Sequence, residues 1–318
     1  MKELIIHKNE DGQRFDKFLM KYFKEAPSGF IYKMLRKKNI TLNNKKSDGK
    51  DILVVGDCVK LFLADETISK FRGQQSYTSY PTTDLDIVYE DDNIIVINKP
   101  SGMLSQKAES NDVSINEYII GYLLKTNQLT NEDLNTFKPS NCNRLDRNTS
   151  GLIVAGKTLK GIQIMSKCFK ERTVEKYYLT VVNGMVDKSS HIKGYLFKDE
   201  KTNTVKVSTD DNGGSYIETR FEPIVSKDEY SLLKVELITG KTHQIRAHLA
   251  SIKHSIIGDY KYGNKEINDY YKDNYGINNQ LLHAYKLIFS HDIDELNIKA
   301  GKEITGNIPK EIRLFGEV

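Results

Sequence analysis

Asn143-Arg144-Leu145-Asp146-Arg147-Asn148-Thr149-Ser150-Gly151-Leu152-Ile153-Val154 sets one carboxylate between two guanidiniums, then a turn-forming Asn-Thr-Ser-Gly, then an apolar strand. Neighbouring arginines favour the ionised form of Asp146, which a nucleophile or general base requires. The same residues would equally serve as an Asp-Arg cluster that stabilises a turn. Taken alone, the run leaves both readings open.

A second pattern overlaps the first. Gly151-Leu-Ile-Val-Ala-Gly156-Lys157-Thr158 meets the phosphate-loop pattern of a nucleotide triphosphatase letter for letter. Such a loop folds its backbone N–H groups around phosphates, and it follows a buried strand. Here the loop interior is Leu-Ile-Val-Ala, a strand former, and the residues before it are polar. No apolar run ending in a magnesium-binding Asp occurs elsewhere. Thr158 reads instead as the N-cap of a helix over Leu159 to Lys170.

The 318 residues are 38% apolar and 28% charged, enough for a core and about twice the usual domain length, so two domains are expected. No apolar run approaches the roughly 18 residues of a membrane helix, and Leu4 to Ile6 is too short for a signal peptide. Cys58, Cys142 and Cys168 are odd in number and lack close pairing, which argues against a disulfide framework or zinc knuckle. A soluble, intracellular, cytoplasmic chain without structural metal is expected. His243 and His248, five apart, would stand roughly 140° apart on a helix, unlike zinc-binding helices. His254 and His283 have no acidic companion at useful spacing.

Charge is unevenly distributed. Residues Met1 to Leu63 hold 14 basic and 8 acidic side chains, while the remainder carries a small negative excess. A small basic module ahead of a near-neutral body suggests a grip on a polyanion, or a solvated Lys-rich surface. Within it, Phe15, Phe18, Leu19 and Tyr22 mark one helical stripe. Ser28 is a plausible N-cap for a second helix that buries Ile31, Met34 and Leu35. Lys33, Arg36 and Lys37 group on its opposite face. Ile40 to Leu42 and Val59 to Leu63 are short strand candidates. The stretch Arg14 to Leu42 resembles the small αL-type RNA-binding domain that opens a ribosomal small-subunit protein and several RNA-modifying enzymes. That resemblance implies RNA binding through Lys33, Arg36 and Lys37.

From Thr67 to Thr83 the sequence is polar and aperiodic and reads as a linker. Beyond it, Ile87 to Tyr89 and Ile94 to Ile97 form a predicted hairpin, and Ser114-Ile115-Asn116-Glu117 is a capping box opening a helix. Strand-like runs recur at Tyr177 to Val182, Leu232 to Leu237 and Tyr285 to Phe289, with a further helix over His243 to Ile252. Strands outnumber helices, so a mixed, mainly antiparallel α+β domain is predicted.

Two other runs are notable: Glu175-Lys176-Tyr177-Tyr178, which puts Lys176 and Tyr178 on one strand face, and Gly240-Lys-Thr-His-Gln-Ile-Arg246. In order, Arg144-Leu-Asp146 with Thr149-Ser-Gly-Leu, Lys176-x-Tyr178, and Gly240 to Arg246 with Gly258-Asp259 resemble the motifs of pseudouridine synthases of the RluA, RluC and RluD type. The opening Asn98-Lys99-Pro100-Ser101-Gly102 and the late Leu282-His283-Ala284 also match. The resemblance spans about Asp84 to Phe289 and, with the front module, leans toward the RluC-like branch. One departure stands at Asn143, where members usually carry His.

The resemblance implies a pseudouridine synthase fold at 84–318, behind a small RNA-binding domain at 1–66 and a linker at 67–83. It implies isomerisation of uridine within RNA, most naturally large-subunit ribosomal RNA, by a monomer without cofactor or metal. Asp146 would be the catalytic carboxylate, adding to the sugar or removing a ribose proton. Tyr178 would pack against the uracil and help remove its proton, and Arg246 would hold Asp146 charged and aimed. Leu237 would supply an apolar wall and Lys176 a substrate contact. Arg144 would fill the gap left by the flipped base. The alternative is a noncatalytic RNA-binding or ribosome-assembly factor of the same fold.

Overall fold

Alternation at every second residue builds the main sheet. In the strand Ile94–Lys99, Ile95 and Ile97 join one apolar cluster while Ile94 and Val96 join another on the opposite face, so a continuous Ile-Ile-Val-Ile run is buried on both sides. The computed structural model describes residues 1–73, 79–199 and 204–317.

The front module contains β1 (Lys2–Ile5), α1 (Phe15–Tyr22), α2 (Ser28–Arg36), β2 (Ile40–Leu42), β3 (Cys58–Leu61) and α3 (Asp65–Arg72). Its three strands are ordered β1-β3-β2. Phe15, Phe18, Leu19 and Tyr22 of α1 meet Ile31, Met34 and Leu35 of α2 in one buried cluster. Two expectations are corrected. Pro27, not Ser28, caps α2: its ring fixes φ at −65° in the extended region and Ser28 becomes the first helical residue, without a side-chain cap. The expected linker from Thr67 begins inside α3. Ile68 is buried with the module's core, the rings of Phe71 and Phe30 lie 4.3 Å apart, and Asp65, Glu66, Lys70 and Arg72 complement the helix dipole. Residues 74–78 of that stretch lie outside the described residues. Its continuation is packed rather than free, because a Cβ on Gly121 would stand 2.1 Å from the Pro81 carbonyl oxygen.

The body comprises β4 (Ile87–Glu90), β5 (Ile94–Lys99), α4 (Ile115–Lys125), β6 (Ser140–Asn141), β7 (Ser150–Gly156), α5 (Leu159–Glu171), β8 (Val174–Asn183), β9 (Ser190–Asp199), β10 (Thr204–Ser208), β11 (Ser215–Ser226), β12 (Tyr230–Leu237), α6 (Gln244–Ser251), α7 (Lys265–Tyr275), β13 (Leu282–Phe289), β14 (Glu303–Thr305) and α8 (Lys310–Arg313). One sheet runs β10-β9-β11-β12-β8-β13-β7-β5-β4, with β6 beside β7 and β14 beside β13. Its pairings are antiparallel except β7 with β13, so the mixed, mainly antiparallel α+β architecture is present. The late strand β13 lies between β7 and β8 and joins the two halves of the sheet.

Helices α4 and α6 cover one face, where Ile119, Leu123, Ile245 and Leu249 pack with Tyr178 and Val235. On the other face, α5 packs against β5 and β7, and α7 and α8 pack against β8 and β12. The capping box at the start of α4 is formed: Ser114 N–H donates to Glu117 Oε2 at 3.0 Å, and Asn116 N–H to Ser114 Oγ at 3.3 Å. Among the described residues, no helix is long and apolar enough to cross a membrane.

Candidate active site

The loop carrying Asp146 is held by hydrogen bonds between side chains and backbone. Asn143 Oδ1 accepts from Val154 N–H at 2.8 Å, and its Nδ2 donates to the Leu152 carbonyl at 3.1 Å. The departure at Asn143 thus closes the loop onto β7. Ser105 Oγ donates to the Leu145 carbonyl at 2.7 Å and accepts from Leu145 N–H at 3.0 Å. Lys99 is fully buried, and its ammonium donates to the carbonyls of Pro100, Met103 and Arg147 at 2.8–3.0 Å. It therefore ties the Pro-Ser-Gly turn to the residue after Asp146. Burial pulls the Lys99 amine down to about 7, against the charge of Asp146.

The turn Asn148-Thr149-Ser150-Gly151 leads straight into the parallel contact. Ser150 pairs with His283 and Gly151 with Ala284, and Ser150 Oγ lies 2.9 Å from His283 Nδ1. At φ +116°, Gly151 occupies backbone space that excludes side chains: a Cβ would sit 2.2 Å from the Ala284 carbonyl oxygen. Strand β7 then runs to Gly156 with its amides bonded in the sheet. A phosphate loop is therefore absent here. Thr158 caps α5 by accepting from Gly161 N–H at 3.0 Å, and Lys157 pairs with Glu90 at 2.6 Å.

Arg246, on the first turns of α6, reaches back to this loop. Its Nη1 donates to Asp146 Oδ2 at 2.8 Å, while Nε and Nη2 donate to Asp259 at 2.7 and 2.9 Å. Asp259 is almost wholly buried and also accepts from the amides of Lys261 and Tyr262. Burial alone would lower the Arg246 pKa, but the hydrogen bonds and charges of Asp259 and Asp146 raise it above its ordinary value. The guanidinium is permanently charged, and it stacks over the Tyr262 ring at 5.1 Å. Among the described residues, no hydrogen bond is made to Asp146 Oδ1, and the Asp146 side chain is 26% exposed. One carboxylate oxygen is held and the other is open.

Tyr178 approaches from β8. It is buried with Leu145, Val235, Ile245 and Ala284, and partly buried Leu237 packs against the same cluster. Burial first, and then the negative charge of Asp146, push its phenol well above the ordinary value. The ring is a neutral phenol beside the carboxylate. Lys176, two residues earlier on β8, has its Nζ beside Gly240, 3.6 Å from where a Cβ would be, and burial lowers its pKa. Arg144 is exposed two residues before Asp146. Lys33, Arg36 and Lys37 are exposed on α2 of the front module, with Lys37 just beyond the last helical residue. Arg246 is thus bonded to Asp146, Tyr178 lies within reach of its charge, and Leu237 packs on the apolar cluster that holds Tyr178; no direct contact links Lys176 or the α2 cations to Asp146.

Three neighbours were not assigned roles from sequence. His243 precedes α6 in the left-handed region, φ 54°, so helical spacing to His248 does not apply. Its Nε2 faces Asp146 Oδ2 at 3.8 Å and its Nδ1 lies 2.8 Å from the Tyr262 hydroxyl. Asp259 and Tyr262 follow α6 and complete the surround. Asp259 had a signal, the Gly-Asp pair; Tyr262 had none.

Residues 93–251 match the family model described as RNA pseudouridylate synthase. The chain is 33% identical over 274 residues to an uncharacterised RNA pseudouridine synthase of Mycoplasma capricolum, covering 85% of this chain and 87% of that protein. It is 30% identical to the ribosomal large subunit pseudouridine synthase C of Vibrio vulnificus, over 94% of each chain. The fold is similar to that of human RNA pseudouridylate synthase domain containing 4, with a TM-score of 0.55 at 19% identity, over 71% of this chain and 89% of that one. The chain belongs to the RNA pseudouridylate synthase family, in its RluA/RluC-type branch.

Proposed function

We propose that this enzyme isomerises chosen uridines of large-subunit ribosomal RNA, with Asp146 as the catalytic carboxylate. The reading rests on one observation: Arg246, anchored by buried Asp259, holds Asp146 Oδ2 and leaves Oδ1 without a hydrogen bond, where the charge of Asp146 reaches the buried Tyr178 phenol. The ribosomal substrate is supported by the similarity to the Vibrio vulnificus protein across the whole chain.

In the reaction, the bond from ribose C1′ to uracil N1 breaks, the base turns, and C1′ bonds to C5; the proton lost from C5 is balanced by one gained at N1, so the product is an isomer. A retaining or inverting glycosidase needs two carboxylates because water must also be activated. Here no water enters the product, so one suffices. Asp146 acts on the sugar by addition or by proton removal. Tyr178, a neutral phenol, stacks on the uracil and lines the path of the C5 proton. Leu237 walls the pocket and Lys176 contacts the substrate. Arg144, exposed at the rim, takes the place of the extruded base. The front module grips RNA phosphates with Lys33, Arg36 and Lys37.

Asp146→Asn tests this. It should abolish pseudouridine formation on a ribosomal transcript while leaving RNA affinity within about tenfold, because the interaction removed belongs to the transition state. Persisting turnover would remove Asp146 from its role.

A further inference from the structure

Tyr262 accepts a hydrogen bond from Val205 N–H at 3.0 Å, and its hydroxyl also meets His243 Nδ1 at 2.8 Å. An oxygen that already accepts from an amide has its own proton to donate, and His243 Nδ1 is the acceptor beside it. In the tautomer that lets the phenol donate, Nδ1 carries no hydrogen and the neutral ring bears its proton on Nε2. That nitrogen faces Asp146 Oδ2, the same oxygen that Arg246 holds. The ring is free to be neutral: burial lowers its pKa, opposed by Asp146 and Asp259 and assisted by Arg246 and Lys261.

We infer that His243 is a positioning residue for the isomerisation reading above, clamping Asp146 Oδ2 together with Arg246 so that Oδ1 is the oxygen presented to the nucleotide. A carboxylate held by one donor can still rotate about its Cβ–Cγ bond and exchange its two oxygens. Two donors converging on Oδ2 from different directions remove that freedom. The 3.8 Å separation closes to a hydrogen bond when RNA fills the cleft, as catalytic contacts commonly tighten on binding. His243 stands in the left-handed region just ahead of α6, and its ring lies between the Asp146 carboxylate and the Tyr262 hydroxyl.

The test compares donors at one position. His243→Phe keeps the ring and removes the donor; His243→Gln keeps an N–H near the place of Nε2. Turnover of a ribosomal transcript by His243→Phe should fall about 10- to 100-fold, the range of one hydrogen bond to a charged group, with KM within about threefold. His243→Gln should recover most of the loss. Tyr262→Phe retains the ring under Arg246 but frees the tautomer; it should slow turnover several-fold, with no further loss when combined with His243→Phe. Full turnover in His243→Phe, equal loss in His243→Gln, or additive losses in the double variant would each overturn the assignment. Inactivity of Asp146→Asn is independent of all three outcomes, so a failed clamp is distinguishable from a failed reaction.

Discussion

Arg246 and Asp259 face each other through two parallel hydrogen bonds, 2.7 and 2.9 Å long, in a site almost closed to water. The planar fork of the guanidinium matches the carboxylate, so the pair fixes where the third nitrogen points. Asp259 therefore controls Asp146 without touching it. Asp259→Asn removes one buried charge and leaves the guanidinium with only Asp146. Breaking a buried pair typically costs about 3–5 kcal/mol, and the aim of Nη1 should relax as well. Urea unfolding should show the loss of stability, and turnover should fall with it. Wild-type stability together with wild-type turnover would contradict the arrangement.

Gly151→Ala is expected to be worse than its size suggests. Its Cβ would meet the Ala284 backbone at 2.2 Å, at a φ of +116°. Neither strand can move without opening the β7–β13 contact, so a loss exceeding about 3 kcal/mol is expected from strain at a special backbone position. Thermal melts give the answer directly. A near-neutral change would mean that the strand contact is looser than described.

Stability should also depend on two buried imidazoles. Burial holds His248 and His283 at about 4, below their ordinary 6.5. Above 6.5 both folded and unfolded chains keep them neutral, and their contribution is complete. As pH falls from 6.5 through 4, the unfolded chain takes up protons that the folded chain refuses, so stability declines. Each group adds a slope of about 1.4 kcal/mol per pH unit in that window. His248→Gln and His283→Gln should each flatten the pH dependence of denaturation. If both variants keep the wild-type slope, the two rings are not held neutral.

Replacing Lys33, Arg36 and Lys37 by Ala should weaken RNA binding mostly at low salt. Each lost phosphate contact reduces the slope of log affinity against log salt by about 0.7–0.9. Filter binding over a salt series measures it. An unchanged slope would make the α2 stripe a solvated surface.

The candidate site was more legible in the sequence than the course of the individual elements. Asp146, Tyr178 and Arg246 lie in runs whose residue types are informative together, and strands such as β5 announce themselves by continuous apolar residues. The β9–β11 segment is different. Its strands bury few apolar side chains, as in Ser190–Asp199, where Leu196 is the one buried apolar side chain, so their alternation is faint against the polar background. Helix α7 buries only Asn268 and Tyr271, which leaves almost no apolar stripe to detect. Helix α3 was hidden for the same reason, since Ile68 is its one buried residue. His243 was missed because a left-handed φ has no signature in a His-Gln pair, and a helical template assigned it the wrong direction.

The central place of β13 has a consequence for how the enzyme comes into being. The Asp146 loop leads into β7 on one side of β13 and Tyr178 stands in β8 on the other, so among the described residues β13 is the strand that joins the two halves of the sheet. A nascent chain that has emerged through β12 has the strands on both sides but not the keystone between them. Until Leu282–Phe289 slots in, β7 and β8 would each present an unpaired edge of the kind that invites aggregation. Insertion of β13 would therefore cover both edges at once and bring the two halves of the sheet into one.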